Sequence, residues 1–130
     1  MKAVDTNVLL RLVTGDDPAQ ESTARELLET AGIFVPLSVL MEAEWVLRSF
    51  YRWPRKRIAD ALSALACVEG ARIERAESAM WAIERFRAGA DFADMLHLLV
   101  VEEVDAFATF DGGVARFAGD EAPLRVETLG

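Results

Sequence analysis

Short apolar segments alternate with longer amphipathic ones along the chain, and this alternation limits the possible folds more than any other feature. The longer segments carry apolar residues every three or four positions, as one face of a helix does. The short ones predict strands at residues 2–4, 33–35 and 106–110 and, more weakly, at 68–73 and 124–129. Strands separated by helices are typical of parallel sheets covered by helices. The sequence therefore predicts an α/β fold: a three-layer α/β/α sandwich with a mostly parallel central sheet.

The helix boundaries carry capping signals. Asp17 followed by Pro18 predicts an N-cap and the first position of a helix, and Gly32 predicts where that helix stops. Ser38 predicts the cap of a longer helix that reaches about Tyr51. The 130 residues contain no repeat, low-complexity stretch or linker, so we expect a single domain over residues 1–130.

Composition restricts the location and the partners. The chain is 52% hydrophobic, enough for one core, and its apolar runs are too short to cross a bilayer or to form a signal peptide. We therefore expect a cytoplasmic protein without a membrane segment. The single cysteine, Cys67, excludes an internal disulfide, and its apolar neighbours predict a core position. The net charge of −8 argues against a broad phosphate-binding surface unless bound cations offset the carboxylates.

Four acidic residues fall where such a sheet would bind a ligand. Asp5 and Asp111 follow the first and the last clear strand, and open α/β sheets bind ligands beyond the carboxyl ends of their strands. Glu42 and Asp94 lie in the first turns of helices expected to start at that edge. Close carboxylates repel each other, and a cation that prefers oxygen ligands, Mg²⁺ or Mn²⁺, relieves that repulsion. The pattern predicts a metal site that activates water to hydrolyse a phosphodiester.

Some of these acids also have simpler explanations. Asp5, in an Asp-Thr-Asn sequence, would close a turn or cap a helix. Asp91 would cap the helix that carries Asp94 as readily as it would bind a ligand. His97 flanks Asp94, and a bond to a neighbouring group accounts for it without a catalytic role. These alternatives remain open at the level of sequence.

A helical wheel separates two glutamates of the same helix. Glu42 lies beside Val39 and Val46, at the edge of the apolar face, whereas Glu44 points towards solvent. A carboxylate that faces inward is unfavourable unless it is paired or bound to a metal. Glu42 is therefore the candidate ligand, and Glu44 is expected to be an ordinary surface acid.

Taken together, these motifs resemble the PIN domain, and in particular the VapC-type toxin ribonucleases of prokaryotic toxin–antitoxin modules. The residues that carry the resemblance are Asp5-Thr6-Asn7, Glu42 within residues 39–47, Asp91-Phe92-Ala93-Asp94 and Thr109-Phe110-Asp111. The resemblance implies a Mg²⁺- or Mn²⁺-dependent endoribonuclease and covers nearly the whole chain.

The resemblance also implies roles and partners. Asp5, Glu42, Asp94 and Asp111 would form the acidic cluster, with Asp5 and Asp94 as direct metal ligands. Thr6 and Thr109 match hydroxyl positions that orient the acids or water, and Asn7 matches a position that braces the turn. The partners implied are an RNA substrate, a second copy in a homodimer and a cognate VapB-like antitoxin.

Arginines are the candidates for contacts with RNA. Arg11, Arg85 and Arg87 are suggested by their positions, and residues 48–57 combine basic side chains with Tyr51 and Trp53. A solvated helix junction or a dimer edge explains residues 48–57 equally simply.

Two other functions fit part of the sequence pattern. A phosphoacceptor receiver domain needs a lysine after a late strand, but the only lysines are Lys2 and Lys56. A catalytically silent PIN-fold interaction module that binds a protein partner remains the alternative.

Overall fold

The first three strands pair in parallel. The computed structural model describes all 130 residues, which divide into two compact units, Met1–Ala76 and Glu77–Gly130. In the first unit, β1 (Lys2–Ala3), β2 (Ile33–Val35) and β3 (Ala71–Ile73) form one sheet in that order. Because the three strands run in the same direction, their carboxyl ends lie at one edge of this sheet.

Helices connect the strands of the first unit. They are α1 (Thr6–Thr14), α2 (Pro18–Thr30), α3 (Leu37–Ser49) and α4 (Arg55–Ala64), and a 3₁₀ turn at Leu65–Cys67 follows α4. The predicted start of α2 is confirmed, since Asp17 Oδ1 accepts a hydrogen bond from the backbone N–H of Gln20 at 3.1 Å. Its predicted stop is confirmed too, since Gly32 follows with a left-handed φ of 80°.

The start of α3 differs from the prediction. The backbone N–H of Leu37 donates to Oε1 of Glu74 at 2.9 Å, and the N-cap residue, Pro36, makes no side-chain bond. Ser38 lies inside the first turn, so its predicted role as the cap is wrong. Capping residues usually lie within a few positions of the helix start, whereas here the acceptor, Glu74, directly follows β3.

The buried face of α3 also differs from the helical wheel. Leu40, Ala43 and Leu47 are fully buried, and Glu44 lies in the same stripe with 3% of its surface exposed. Its carboxylate is paired with Arg48, whose Nε lies 2.6 Å from Oε2. The prediction that Glu44 points towards solvent is therefore wrong, because the buried stripe is centred one residue further along than the valines suggested.

The second unit contains the remaining elements: α5 (Ala76–Arg87), α6 (Phe92–Val100), β4 (Phe107–Thr109), α7 (Gly112–Ala118) and β5 (Val126–Thr128). β4 and β5 pair in parallel. Phe86 and Phe92 are buried and meet edge to face, with their ring centroids 5.6 Å apart. Gly89 ends α5 with a φ of 123°, and a Cβ there would lie 2.9 Å from the ring of Phe117. This close approach excludes larger residues at that turn.

The predicted fold class is confirmed. Seven helices alternate with five short strands, and every strand pairing is parallel. Both weaker strand candidates are present, as β3 and β5. None of the seven helices is both long and apolar enough to cross a membrane. The predicted core position of Cys67 is wrong: it is exposed at the end of the 3₁₀ turn, whereas Leu65 takes the buried position there.

Candidate functional site

Asp5 is held at the exit of β1 by the helix that follows. Its backbone is extended, and its Oδ1 accepts a hydrogen bond from the N–H of Val8 at 3.1 Å, so it is the N-cap of α1. The side chain is exposed, and its second oxygen has no partner within the protein. The capping alternative considered for Asp5 is therefore correct, and it leaves one carboxylate oxygen available for a ligand.

Asp5 and Glu42 face the same open cavity in the first unit. The cavity has a volume of about 310 Å³ and is lined by Asp5, Thr6, Asn7, Ser38, Val39 and Glu42. Thr6 is buried, whereas Asn7 and Glu42 are exposed. The end of β1 and the first turns of α3 thus bring two of the predicted acids to one surface.

A larger groove continues from Asp5 between α1 and α2. Its volume is about 570 Å³, and its lining includes Asp5, Asn7, Arg11 and Gln20. Arg11, one of the three predicted arginines, thus lines the same groove as the predicted acid Asp5. It donates to Asp16 at 2.8 Å and to Gln20 at 2.7 Å, so its guanidinium is fixed at the wall of the groove.

Three further predicted acids lie in the second unit. Asp91 is the N-cap of α6, its Oδ2 accepting from the N–H of Asp94 at 3.0 Å, which confirms the capping alternative. Asp111 caps α7 through Oδ1 and the N–H of Gly113 at 2.8 Å. The N–H of Asp111 donates to Thr109 Oγ1 at 3.0 Å. Thr109 therefore fixes the turn that presents Asp111.

Asp94 is the acid whose surroundings most disfavour its charge. Burial in the first turn of α6 raises its pKa above the ordinary value, and the negative charges of Asp91 and Asp111 raise it further. His97 acts in the opposite direction. Asp91 and Asp111 are therefore near enough to Asp94 for their negative charges to disfavour its ionisation.

His97 makes an aromatic contact instead of binding an acid. The imidazole is exposed and stacks on Phe107, with ring centroids 6.4 Å apart and planes inclined by 17°. This contact with a strand residue accounts for its position one turn after Asp94.

None of the predicted acids is neutralised by a lysine or an arginine. The ion pairs of the chain involve other carboxylates, such as those of Asp16, Glu44 and Glu84. In neither unit do three or more acidic, histidine or cysteine side chains come together closely enough to hold a metal ion. Coulomb repulsion acts over longer distances than metal bonds, so the aspartates of the second unit affect one another without forming such a group.

The available donors nevertheless suit a hard divalent cation. They are carboxylate oxygens, which Mg²⁺ and Mn²⁺ prefer. Asp5, Asp91 and Asp111 each use one oxygen as a cap and keep the other free of internal bonds, and the carboxylate of Asp94 has no internal bond at all. Caps fix the direction of a side chain, so these acids are oriented before any ligand binds.

Sequence reasoning missed two residues around these acids. Glu74 anchors the start of α3, the helix that carries Glu42, and Asp16 holds Arg11 at the groove. Glu74 was not detectable in advance, since it lies 37 positions from the N–H that it binds, whereas Asp16 lies only five positions from Arg11.

Comparison with known proteins identifies the family. The sequence profile described as PIN domain matches residues 2–120, which is most of the chain and includes every predicted site residue. No curated protein and no solved structure gives a significant match. PIN domains are generally nucleases that act on nucleic acid with divalent metals. The profile match over residues 2–120 shows that this chain belongs to the PIN domain family.

Proposed function

We propose that the protein is a Mg²⁺- or Mn²⁺-dependent endoribonuclease, with Asp5, Glu42, Asp94 and Asp111 as its catalytic acids. The observation that carries the proposal is a set of oriented carboxylates with no lysine or arginine to neutralise them, in a chain of the PIN domain family. The profile covers residues 2–120, which include parts of both compact units, and this supports the proposal of a single domain over residues 1–130.

In this proposal the residues of the chain hold the cation and orient the acids around it. Asp5 and Asp94 would hold the metal directly, with Glu42 and Asp111 as the further acids of the set. Thr109 holds the turn of Asp111, while Thr6, Asn7 and Asp91 support the loops that present the acids. When bound, the cation supplies a water of lowered pKa and stabilises negative charge on the phosphate. The burial and repulsion that raise the pKa of Asp94 favour cation binding there, since a dication relieves both.

The direct test is cleavage of total RNA with Mg²⁺ or Mn²⁺ and with a chelator. Asp5→Asn and Asp94→Asn should each lower cleavage about 100-fold or more, since loss of a metal ligand removes several kcal/mol of stabilisation. Asp17→Asn is the matched control, because Asp17 caps α2 as Asp5 caps α1 but is not among the predicted acids. Unaltered cleavage in both site variants would overturn the assignment.

Metal binding separates this function from the catalytically silent interaction module. Thermal unfolding of the wild type with increasing Mn²⁺ should show saturable stabilisation, of about 2.7 kcal/mol at a concentration 100 times the dissociation constant. Asp94→Asn should lose this response and Asp17→Asn should keep it. A wild type that neither binds Mn²⁺ nor cleaves RNA would favour the silent module.

We further propose that the nuclease is the toxin of a VapBC-type toxin–antitoxin module, acting on cytoplasmic RNA as a homodimer and silenced by a VapB-like antitoxin. The support is the resemblance of its ordered motifs to VapC-type toxins. Induced expression in a bacterial host should arrest growth, and co-expression of the protein encoded by an adjacent short reading frame should restore it. Growth unaffected by the wild type would remove the toxin role without touching the nuclease assignment.

A further inference from the structure

A short basic segment stands out in this acidic chain. Residues 48–57, here called the basic turn, join α3 to α4 and contain no acidic residue, although the chain carries a net charge of −8. The segment holds five of the 14 lysines and arginines: Arg48, Arg52, Arg55, Lys56 and Arg57. Neither Arg52 nor Arg57 forms an ion pair, and both are exposed. Arg52 and Arg57 therefore leave positive charge available to a ligand, whereas Arg48 and Lys56 are paired with Glu44 and Asp60.

Aromatic rings run through the same segment. Phe50 is 77% exposed, and its ring meets that of Tyr51 edge to face at a centroid distance of 5.3 Å. Tyr51 meets Trp53 in the same manner at 6.5 Å. The guanidinium of Arg57 lies 3.7 Å above the ring of Trp53. These three rings and the guanidinium, here called the aromatic ladder, form a continuous row of stacking surfaces.

Backbone hydrogen bonds hold the ladder in place. The N–H of Tyr51 donates to the carbonyl of Val46 at 3.2 Å, and that of Trp53 donates to the carbonyl of Leu47 at 3.0 Å. Arg52, between them, adopts a left-handed conformation with φ of 59°, which non-glycine residues seldom do. The ladder is thus ordered before any ligand binds, which lowers the entropy lost on binding.

The ladder is linked to the groove that contains Asp5. The hydroxyl of Tyr51 donates to Oδ2 of Asp16 at 2.5 Å, and Arg11 donates to the other oxygen of Asp16 at 2.8 Å. Arg11 lines the groove together with Asp5. Hydrogen bonds within the first unit therefore connect the aromatic ladder to Arg11, in the wall of the groove that Asp5 also lines.

We propose that the basic turn is a binding platform for single-stranded RNA, with a base stacked on Phe50 and backbone phosphates held by Arg52 and Arg57. The proposal rests on the proposed ribonuclease function and adds where the substrate binds outside the acidic cluster. Stacking surfaces interleaved with cations are the combination that binds single strands regardless of sequence. RNA is favoured over a protein partner because Arg52 and Arg57 form no ion pair and stand beside aromatic residues, an arrangement that offers phosphate contacts and base stacking together.

The test measures binding apart from cleavage. A fluorescein-labelled single-stranded RNA oligonucleotide is titrated with the full chain in chelator, and fluorescence anisotropy is followed at several salt concentrations. In the double variant Arg52→Asn/Arg57→Gln, Asn is chosen because it tolerates the left-handed conformation. We expect about tenfold weaker binding and a salt slope reduced by about 1.4, which is 0.7 for each lost phosphate contact.

A second variant isolates stacking from charge. Phe50→Ala should weaken binding about tenfold with an unchanged salt slope, because a lost stacking contact releases no counterions. Arg72→Gln is the matched control: Arg72 is exposed and lies over Phe34, 5.2 Å from its ring centroid, but outside the basic turn. Its affinity for the oligonucleotide should match that of the wild type.

The outcomes distinguish this inference from the nuclease assignment. RNA binding that weakens in both basic-turn variants supports the platform even if the wild type cleaves no RNA. A wild type that cleaves RNA, together with unchanged dissociation constants in both variants, overturns the platform and leaves the nuclease standing. The platform is also overturned if light scattering shows that the basic-turn variants are monomers where the wild type is a dimer, while RNA binding is unaltered. That result would assign the basic turn to contact with a second copy of the chain. A wild type that binds no RNA overturns it outright.

Discussion

The guanidinium of Arg48 lies 2.6 Å from a carboxylate oxygen of Glu44, one turn earlier on α3. The two partners differ in environment: the side chain of Glu44 is 4% exposed, whereas that of Arg48 is 46% exposed. The arginine therefore extends from the surface to a carboxylate that is buried and shielded from water. Such a pair is asymmetric, because loss of the outer partner leaves the inner charge uncompensated.

Arg48→Ala should lower the free energy of unfolding by roughly 1–3 kcal/mol, the range for a buried group left without its partner. The double variant Glu44→Leu/Arg48→Ala should be more stable than Arg48→Ala alone, since leucine suits a stripe formed by Leu40, Ala43 and Leu47. Urea unfolding measures both. An Arg48→Ala protein as stable as the wild type would show that the pair contributes nothing.

Glu74 should prove necessary for the start of α3. Glu74→Ala removes the acceptor of the Leu37 N–H and should cost about 1 kcal/mol, as loss of an N-cap does. Glu74→Gln keeps a side-chain oxygen and is the control, expected to retain most of the stability. Equal losses in the two variants would indicate that the charge of Glu74, and not its hydrogen bond, is what matters.

Asp94 should destabilise the folded protein at neutral pH when no divalent cation is present. Its pKa is raised above the ordinary 3.8 by burial and by Asp91 and Asp111, so the folded chain holds this proton more tightly than the unfolded chain does. Deprotonation therefore costs the folded state stability as pH rises above that value. In chelator, Asp94→Asn should melt at a higher temperature than the wild type at pH 7.

The same difference in proton binding between the folded and unfolded chains determines how the melting-temperature advantage of Asp94→Asn depends on pH. Below about pH 3.8 the wild-type carboxyl is protonated in both states, so the advantage of Asp94→Asn should shrink towards zero on acidification. Asp105→Asn, which neutralises an exposed acid of the same unit, is the control and should show no such trend. Melting curves between about pH 3.5 and 8 would test both, and an advantage that grows on acidification would contradict this prediction.

The sequence was most informative where one local pattern determined one local structure. Asp17 and Pro18 predicted the start of α2, and Gly32 its end, because capping and left-handed glycine depend on neighbours in the chain. The positions of Asp5 and Asp111 after strands could be predicted for the same reason.

Prediction failed where the local pattern left the burial or the bonding partner of a residue undetermined. The sequence favours Ser38 as a cap because the competing acceptor, Glu74, lies 37 positions from the N–H it binds. It places Glu44 at the surface because hydropathy alone does not reveal an arginine that compensates a buried charge. It places Cys67 in the core because an apolar run does not specify which of its members turns inward.

Two substitutions of Asp5 should distinguish its role as a helix cap from its proposed role in RNA cleavage. Asp5→Asn keeps a side-chain oxygen that accepts from the N–H of Val8, so the free energy of unfolding should change little, whereas Asp5→Ala should lose about 1 kcal/mol. Both remove the carboxylate, so RNA cleavage should fall in both alike. Asp17→Asn and Asp17→Ala repeat the comparison at the cap of α2, where the same difference in stability should appear with cleavage retained. If cleavage instead followed stability across all four variants, Asp5 would matter only as a cap and would have no place among the catalytic acids.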